Sequence, residues 1–218
     1  MTKTIARRFQ YELELLERGV TRIAGVDEAG RGPLAGPVFA AAVMFPVDWM
    51  RRGLPAPLLK VNDSKQLTSE TREKLFAELT SRPEILYAVA WVDSPTIDEI
   101  NILRATHRAM NFALRQLHPA PEHALVDGLR VNSMTLPHTV IVSGDALSYS
   151  IAAASILAKV SRDRCMLELD LMYPGYGFAE HKGYGTVRHM AAIKNLGPCP
   201  IHRRSFAPMR PVERELFE

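Results

Sequence analysis

The chain has 218 residues, 47% of them hydrophobic and 23% charged, an ordinary globular mix. That excludes a disordered tail, a collagen-like fibre and a disulfide-dense mini-protein, and the length predicts a single domain over residues 1–218 with a core that needs no staples. Net charge is only +3, yet Lys182, Arg188, Lys194, Arg203, Arg204 and Arg210 fall between 181 and 211 with no Asp or Glu among them. Such a block is either a solvated face or a docking surface for a polyanion. Cys165 and Cys199 have neither metal-ligand nor redox spacing. No apolar run reaches the roughly 18 residues of a membrane span. Lys3, Arg7 and Arg8 lead into an amphipathic stretch rather than a signal core. The expectation is a cytoplasmic monomer with no membrane association.

In chain order, residues 6–18 predict a helix stopped by Gly19. Residues 22–27 predict a strand, a Gly- and Pro-rich connection follows, and 38–45 predict a second strand, together a hairpin. The segment 46–66 reads as irregular. Thr68 or Ser69 caps a helix to about residue 80, and 85–92 form a strand. Ser94 is placed as N-cap, with Pro95 at the first helical position, of one helix continuing to about 117. Residues 124–126 and 139–142 predict short buried strands, 149–172 a long helix, and 186–196 a last helix closed by Gly197. Helices alternating with strands after a leading hairpin give an α/β class, a mixed sheet flanked by helices. Its core covers about 1–172, and a basic, partly helical C-terminal extension covers 173–218.

Three strands end in acids: Val26-Asp27-Glu28, Val126-Asp127 and, just past a strand, Gly144-Asp145. Sites gather at strand ends in open α/β sheets. Four acids brought together repel unless a hard divalent cation joins them, and all-oxygen ligation suits Mg²⁺ or Mn²⁺ rather than zinc. Each acid taken alone is equally a turn or helix cap, Asp145 for the helix beginning at 149. Neighbouring strand residues point to opposite faces, so Asp27 and Glu28 share one site only if the strand bends near Ala29-Gly30. Gly30-Arg31-Gly32 offers close backbone approach and a forked guanidinium for a phosphate, or else a tight turn with an exposed Arg.

The segment from Ile23 to Val38, reading IAGVDEAGRGPLAGPV, closely resembles the opening signature of the bacterial ribonuclease HII family. Further segments match in order: Asn62-Asp63-Ser64-Lys65, Val126-Asp127-Gly128, Gly144-Asp145, Ala152-Ala153-Ala154-Ser155, Arg162-Asp163, His181-Lys182-Gly183-Tyr184 and His202-Arg203-Arg204-Ser205-Phe206. The resemblance implies a ribonuclease H-like fold and an endonuclease acting on RNA–DNA hybrids and on DNA duplexes that contain ribonucleotides. It implies cleavage on the 5′ side of the ribonucleotide, with 3′-hydroxyl and 5′-phosphate ends and two Mg²⁺ or Mn²⁺ ions. The family's four catalytic and metal-binding acids fall on Asp27, Glu28, Asp127 and Asp145. Its nucleic-acid-gripping element falls on Gly30, Arg31 and Gly32, and its substrate-sensing tyrosine on Tyr184. Lys65, Lys182, Arg203 and Arg204 are candidate phosphate contacts; His181 and His202 are read as donors to phosphate or backbone. Two other readings remain: a metal-dependent nuclease or resolvase of the same fold, and a non-enzymatic nucleic-acid-binding module.

Overall fold

A computed structural model describes residues 8–128 and 130–209. Five strands, β1 (Ile23–Ala29), β2 (Val38–Met44), β3 (Leu86–Val92), β4 (His123–Asp127) and β5 (His138–Ile141), form one sheet in the order β3-β2-β1-β4-β5. β2 runs antiparallel to both β1 and β3, whereas β4 runs parallel to β1 and β5. The sheet is therefore mixed, and the expected hairpin is β1–β2.

The helices are α1 (Gln10–Glu17), α2 (Val47–Arg52), α3 (Ser69–Ser81), α4 (Ser94–Ile100), α5 (Ile102–Arg115), α6 (Gly144–Leu147), α7 (Tyr149–Met172), α8 (Phe178–His181) and α9 (Val187–Leu196). Alternation along the strands makes two cores. Ile23, Ala41, Val43 and Leu125 face α7 and α3, while Ala24, Val26, Ala40, Ala42 and Val126 face α5. Alanine dominates β2 and the first turns of α7, so these elements pack at short range. At Gly25 the approach is closest: a Cβ there would lie 2.1 Å from the backbone carbon of Ser150. Only glycine lets α7 lie against β1 at that point.

Several boundaries differ from the sequence reading. The segment 46–66 contains α2 and two short 3₁₀ turns. The N-cap before α4 is Asp93, whose side chain accepts from the Thr96 amide, so Ser94 is already helical. The single helix expected to reach 117 is broken at Asn101, whose φ of 68° stops α4 and whose side chain caps α5 by accepting from the Arg104 amide. β5 is a largely half-exposed edge strand, and Val142 beyond it is exposed. The cap of α7 is Ser148, which accepts from the Ile151 amide; Asp145 is freed from that role and lies in α6. Residues 6 and 7 of the expected first helix, and Arg210, lie outside the described residues. No helix among the described residues is long and apolar enough to cross a membrane.

Candidate active site

Parallel pairing of Val26 with Val126 sets Asp27 and Asp127 side by side at the ends of adjacent strands, on the sheet face that meets α7. Asp127 in turn pairs with Ile141, and the turn beyond β5 brings back Asp145. That turn is held by the Gly144 amide, which donates to Asp127 Oδ1 at 2.6 Å, while Ser143 takes a left-handed φ of 56°. As a result, carboxylate oxygens of Asp27, Asp127 and Asp145 all lie within 4.8 Å of one another. Asp27 and Asp145 are each 5% exposed.

This crowding has an electrostatic cost. Burial, then the charges of Glu28, Asp127 and Asp145, push the Asp27 carboxyl well above its ordinary value. Burial followed by Asp127 and Asp63 raises Asp145. Lys65 is the nearest cation, its Nζ 4.0 Å from Asp145. Burial pulls the Lys65 ammonium down, but Asp145, Asp27, Asp63 and Asp127 outweigh it and leave it raised. Two buried carboxylates and the half-buried Asp127, against one solvent-exposed ammonium, make an all-oxygen donor set short of positive charge, which fits a hard divalent ion such as Mg²⁺ or Mn²⁺.

Glu28 joins from another direction. β1 stays paired through Ala29, without the bend considered above, and the Glu28 carboxylate falls outside the three-aspartate cluster. Its carboxylate pairs with Arg31 at 3.4 Å and borders the same cleft. The cleft, about 310 Å³, runs from Asp27 past Gly30-Arg31-Gly32 and Lys65 to Tyr184. Its far wall is α7, which contributes Ser155, Lys159 and Arg162. Ser155 donates to Ser64 at 2.7 Å and fixes the Lys65 segment to that helix.

Two buried arginines carry the glycine-arginine turn from beneath. Arg203 is fully buried and donates to the carbonyls of Gly30, Arg31, Pro33 and Gly36 at 2.6–3.0 Å. Arg162 is 1% exposed and donates to Pro37, Ala35 and Lys182. Burial, then the Arg162 charge, lowers the Arg203 pKa to about 9. Gly30 is needed because Arg162 Nε would lie 2.0 Å from a Cβ there, and its φ is +98°. Arg203 is thus not available to a phosphate, a correction to the sequence reading: its donors are consumed by backbone carbonyls. Lys182 also lies off the cleft and donates to Ala179 O at 2.5 Å. Arg204 is exposed away from the cleft, next to Asp98, which accepts its amide at 2.8 Å.

Tyr184 is 46% exposed, its ring facing Gly32. Its loop is tied down by histidines: His189 Nδ1 meets Tyr184 O at 2.9 Å, and His189 Nε2 meets His202 Nε2 at 3.0 Å. His181 bonds the Gly183 amide and Tyr176 O. All three histidines are buried, so they act on backbone rather than on phosphate. On the other side of the acids, Arg8 donates to Asp145 O at 2.8 Å and Val61 O at 2.5 Å, and Glu12 accepts from the capping Ser148 hydroxyl at 2.6 Å.

A mixed five-stranded sheet with carboxylates gathered at the ends of its central strands is the architecture of ribonuclease H-like nucleases. The ribonuclease HII family model matches residues 24–209. A ribonuclease HII from Anaeromyxobacter sp. is 50% identical over 214 residues, covering 95% of this chain and 65% of that one. Another from Acetivibrio thermocellus is 53% identical over 196 residues, covering 90% of this chain and 73% of that one. The crystal structure of the ribonuclease H2 from Pyrococcus horikoshii superposes with a TM-score of 0.71 at 30% identity, covering 87% of this chain and 95% of that one. The chain belongs to the ribonuclease HII family.

Proposed function

We propose that this protein is an endonuclease that hydrolyses the phosphodiester on the 5′ side of ribonucleotides in RNA–DNA hybrids, including single ribonucleotides within duplex DNA, and leaves 3′-hydroxyl and 5′-phosphate ends. The reading rests on one observation: the Asp27, Asp127 and Asp145 oxygens within 4.8 Å of one another, Asp27 among them lining a cleft that includes a glycine-arginine turn. Two Mg²⁺ or Mn²⁺ ions would be held by Asp27, shared between them, with Glu28, Asp127 and Asp145 completing the set; when bound they supply a water of lowered pKa and neutralise the phosphate's charge.

The remaining work belongs to the chain. The amides around Gly30 and Gly32 and the Arg31 guanidinium hold the phosphate at the cleft mouth. Lys65, 4.0 Å from Asp145, offsets part of the rise in that carboxyl's pKa and receives a neighbouring phosphate. Tyr184, half-exposed on a loop anchored from below, meets the sugar whose 2′-hydroxyl distinguishes RNA from DNA. The protein acts as a monomer in the cytoplasm, a setting its two unpaired cysteines tolerate.

The deciding experiment compares a DNA duplex carrying one ribonucleotide with its all-DNA twin in Mg²⁺. The wild type nicks only the first. Asp27→Asn lowers that rate by roughly a thousandfold or more, several kcal/mol of transition-state stabilisation, while the variant stays folded and still binds duplex. Cutting of both duplexes alike, or near-normal nicking by the variant, overturns the reading.

A further inference from the structure

With Arg203 buried and Arg188 paired with Glu180, the C-terminal block is a weaker cationic surface than its composition suggests. The outer face of α5 is stronger. Arg104, Arg108 and Arg115 lie four and seven residues apart, with His107 between the first two, and share one side of the helix. That side faces outward, because Ala105, Ala109 and Ala113 are buried on the other. Asn132 and Ser133, from the connection between β4 and β5, complete a groove of about 750 Å³ along it. No carboxylate lines this groove. Among the described residues, no ion pair engages Arg104, Arg108 or Arg115. Asp98, in the adjoining cleft, already accepts the amides of Arg204 and Ser205.

We infer that this groove receives the sugar-phosphate backbone of the substrate duplex flanking the cleaved nucleotide. The inference rests on the endonuclease reading above and names where that substrate lies outside the cleft. Three arginines on one helix, none in an ion pair and Arg108 lying over the Phe112 ring that also lines the groove, form a site for a polyanion. From Arg104 to Arg115 the helix rises about 16 Å, the length of roughly five nucleotides of one strand at 3.4 Å each. Asparagine and serine add neutral donors of the kind that position a duplex without reading its sequence. A row of arginines along one helix, with no carboxylate in the lining, matches the row of phosphates on one strand, which under the endonuclease reading is the flank of the bound duplex.

The test is duplex binding by the full chain with all three arginines changed, Arg104→Ala, Arg108→Ala and Arg115→Ala. A long duplex with a central ribonucleotide, and two shorter ones lacking the flank on one side or the other, serve as probes across a salt series. The variant is expected to bind the long duplex at least tenfold more weakly, with a salt slope shallower by about 2–3. Wild-type affinity drops on removal of one particular flank, and the variant is insensitive to that removal. Unchanged affinity and slope in a variant with wild-type melting overturn the inference, as does equal sensitivity of both proteins to flank removal. Should the triple variant melt early, Arg108→Gln alone is measured, and a slope unchanged within error counts against the groove. A wild type that binds duplex but fails to nick at a ribonucleotide defeats the endonuclease reading, while the binding comparison still decides the groove.

Discussion

The acidic and basic halves of the site are built on opposite principles. At the strand ends, Asp27, Asp127 and Asp145 are pressed together with only Lys65 at 4.0 Å to offset them. Beneath the glycine-arginine turn, Arg162 and Arg203 are also buried, yet every side-chain nitrogen of Arg203, and Nε and Nη2 of Arg162, donates to backbone carbonyls, only Arg162 Nη1 being left without a partner. Buried charge left without a counter-ion marks the place where a ligand completes the protein. Buried charge wrapped in its own chain marks a scaffold.

Breaking the scaffold should have the largest effect on stability. Arg203→Ala removes five hydrogen bonds to carbonyls that stay buried, and is expected to cost on the order of 3–5 kcal/mol in chemical denaturation. Arg204→Ala, one residue along and exposed, should change it by less than about 0.5 kcal/mol. Equal losses would erase the contrast between the two halves.

The acidic half should respond in the opposite sense. Its raised carboxyl pKa values mean that stability is fully present below the ordinary value of 3.8 and is lost as pH rises through the raised folded-state values. In metal-free buffer near neutral pH, Asp27→Asn should therefore melt a few degrees above the wild type, on a scale where about 1 kcal/mol shifts a domain of this size by roughly 2–4 °C. The gain should vanish below about pH 4. A variant less stable than wild type at neutral pH would show that the carboxylates are not in conflict.

A smaller effect sharpens the same distinction at Glu12, which is 0% exposed and bonds the Ser148 cap of α7. Burial, partly offset by the Ser148 and Ser150 hydrogen bonds, raises its pKa. Glu12→Gln keeps an acceptor and should stay within about 1 kcal/mol of wild type, whereas Glu12→Ala strands the Ser148 hydroxyl and should cost about 1–3 kcal/mol. Thermal melts of the pair separate a positioning hydrogen bond from simple burial.

Strand-end acids were legible because a strand's period and its terminal carboxylate both lie in contiguous residues, as in Val26-Asp27 and Val126-Asp127. The β1–β2 hairpin and α7 were legible for the same reason. What escaped depends on partners remote in the chain. Nothing within 202–205 indicates that Arg203 inserts under a turn some 170 residues earlier, whereas Arg204 does not. Arg162 and Lys159 fall within α7 and gain their meaning only when that helix crosses the Gly30 turn. The break at Asn101 was hidden because the apolar spacing continues across it, and only the left-handed φ and the side-chain cap reveal two helices. The basic face of α5 was overlooked because its cations are diluted by alanines that the fold turns inward.

The three clustered aspartates come from positions 27, 127 and 145, and the turn beside them is propped by residue 203. A ribosome must therefore deliver nearly the whole polypeptide before the three carboxylates and the turn beside them can assemble. Prematurely terminated fragments would carry its first acids but remain inert toward the cell's nucleic acids, so completion of synthesis itself acts as the safety catch.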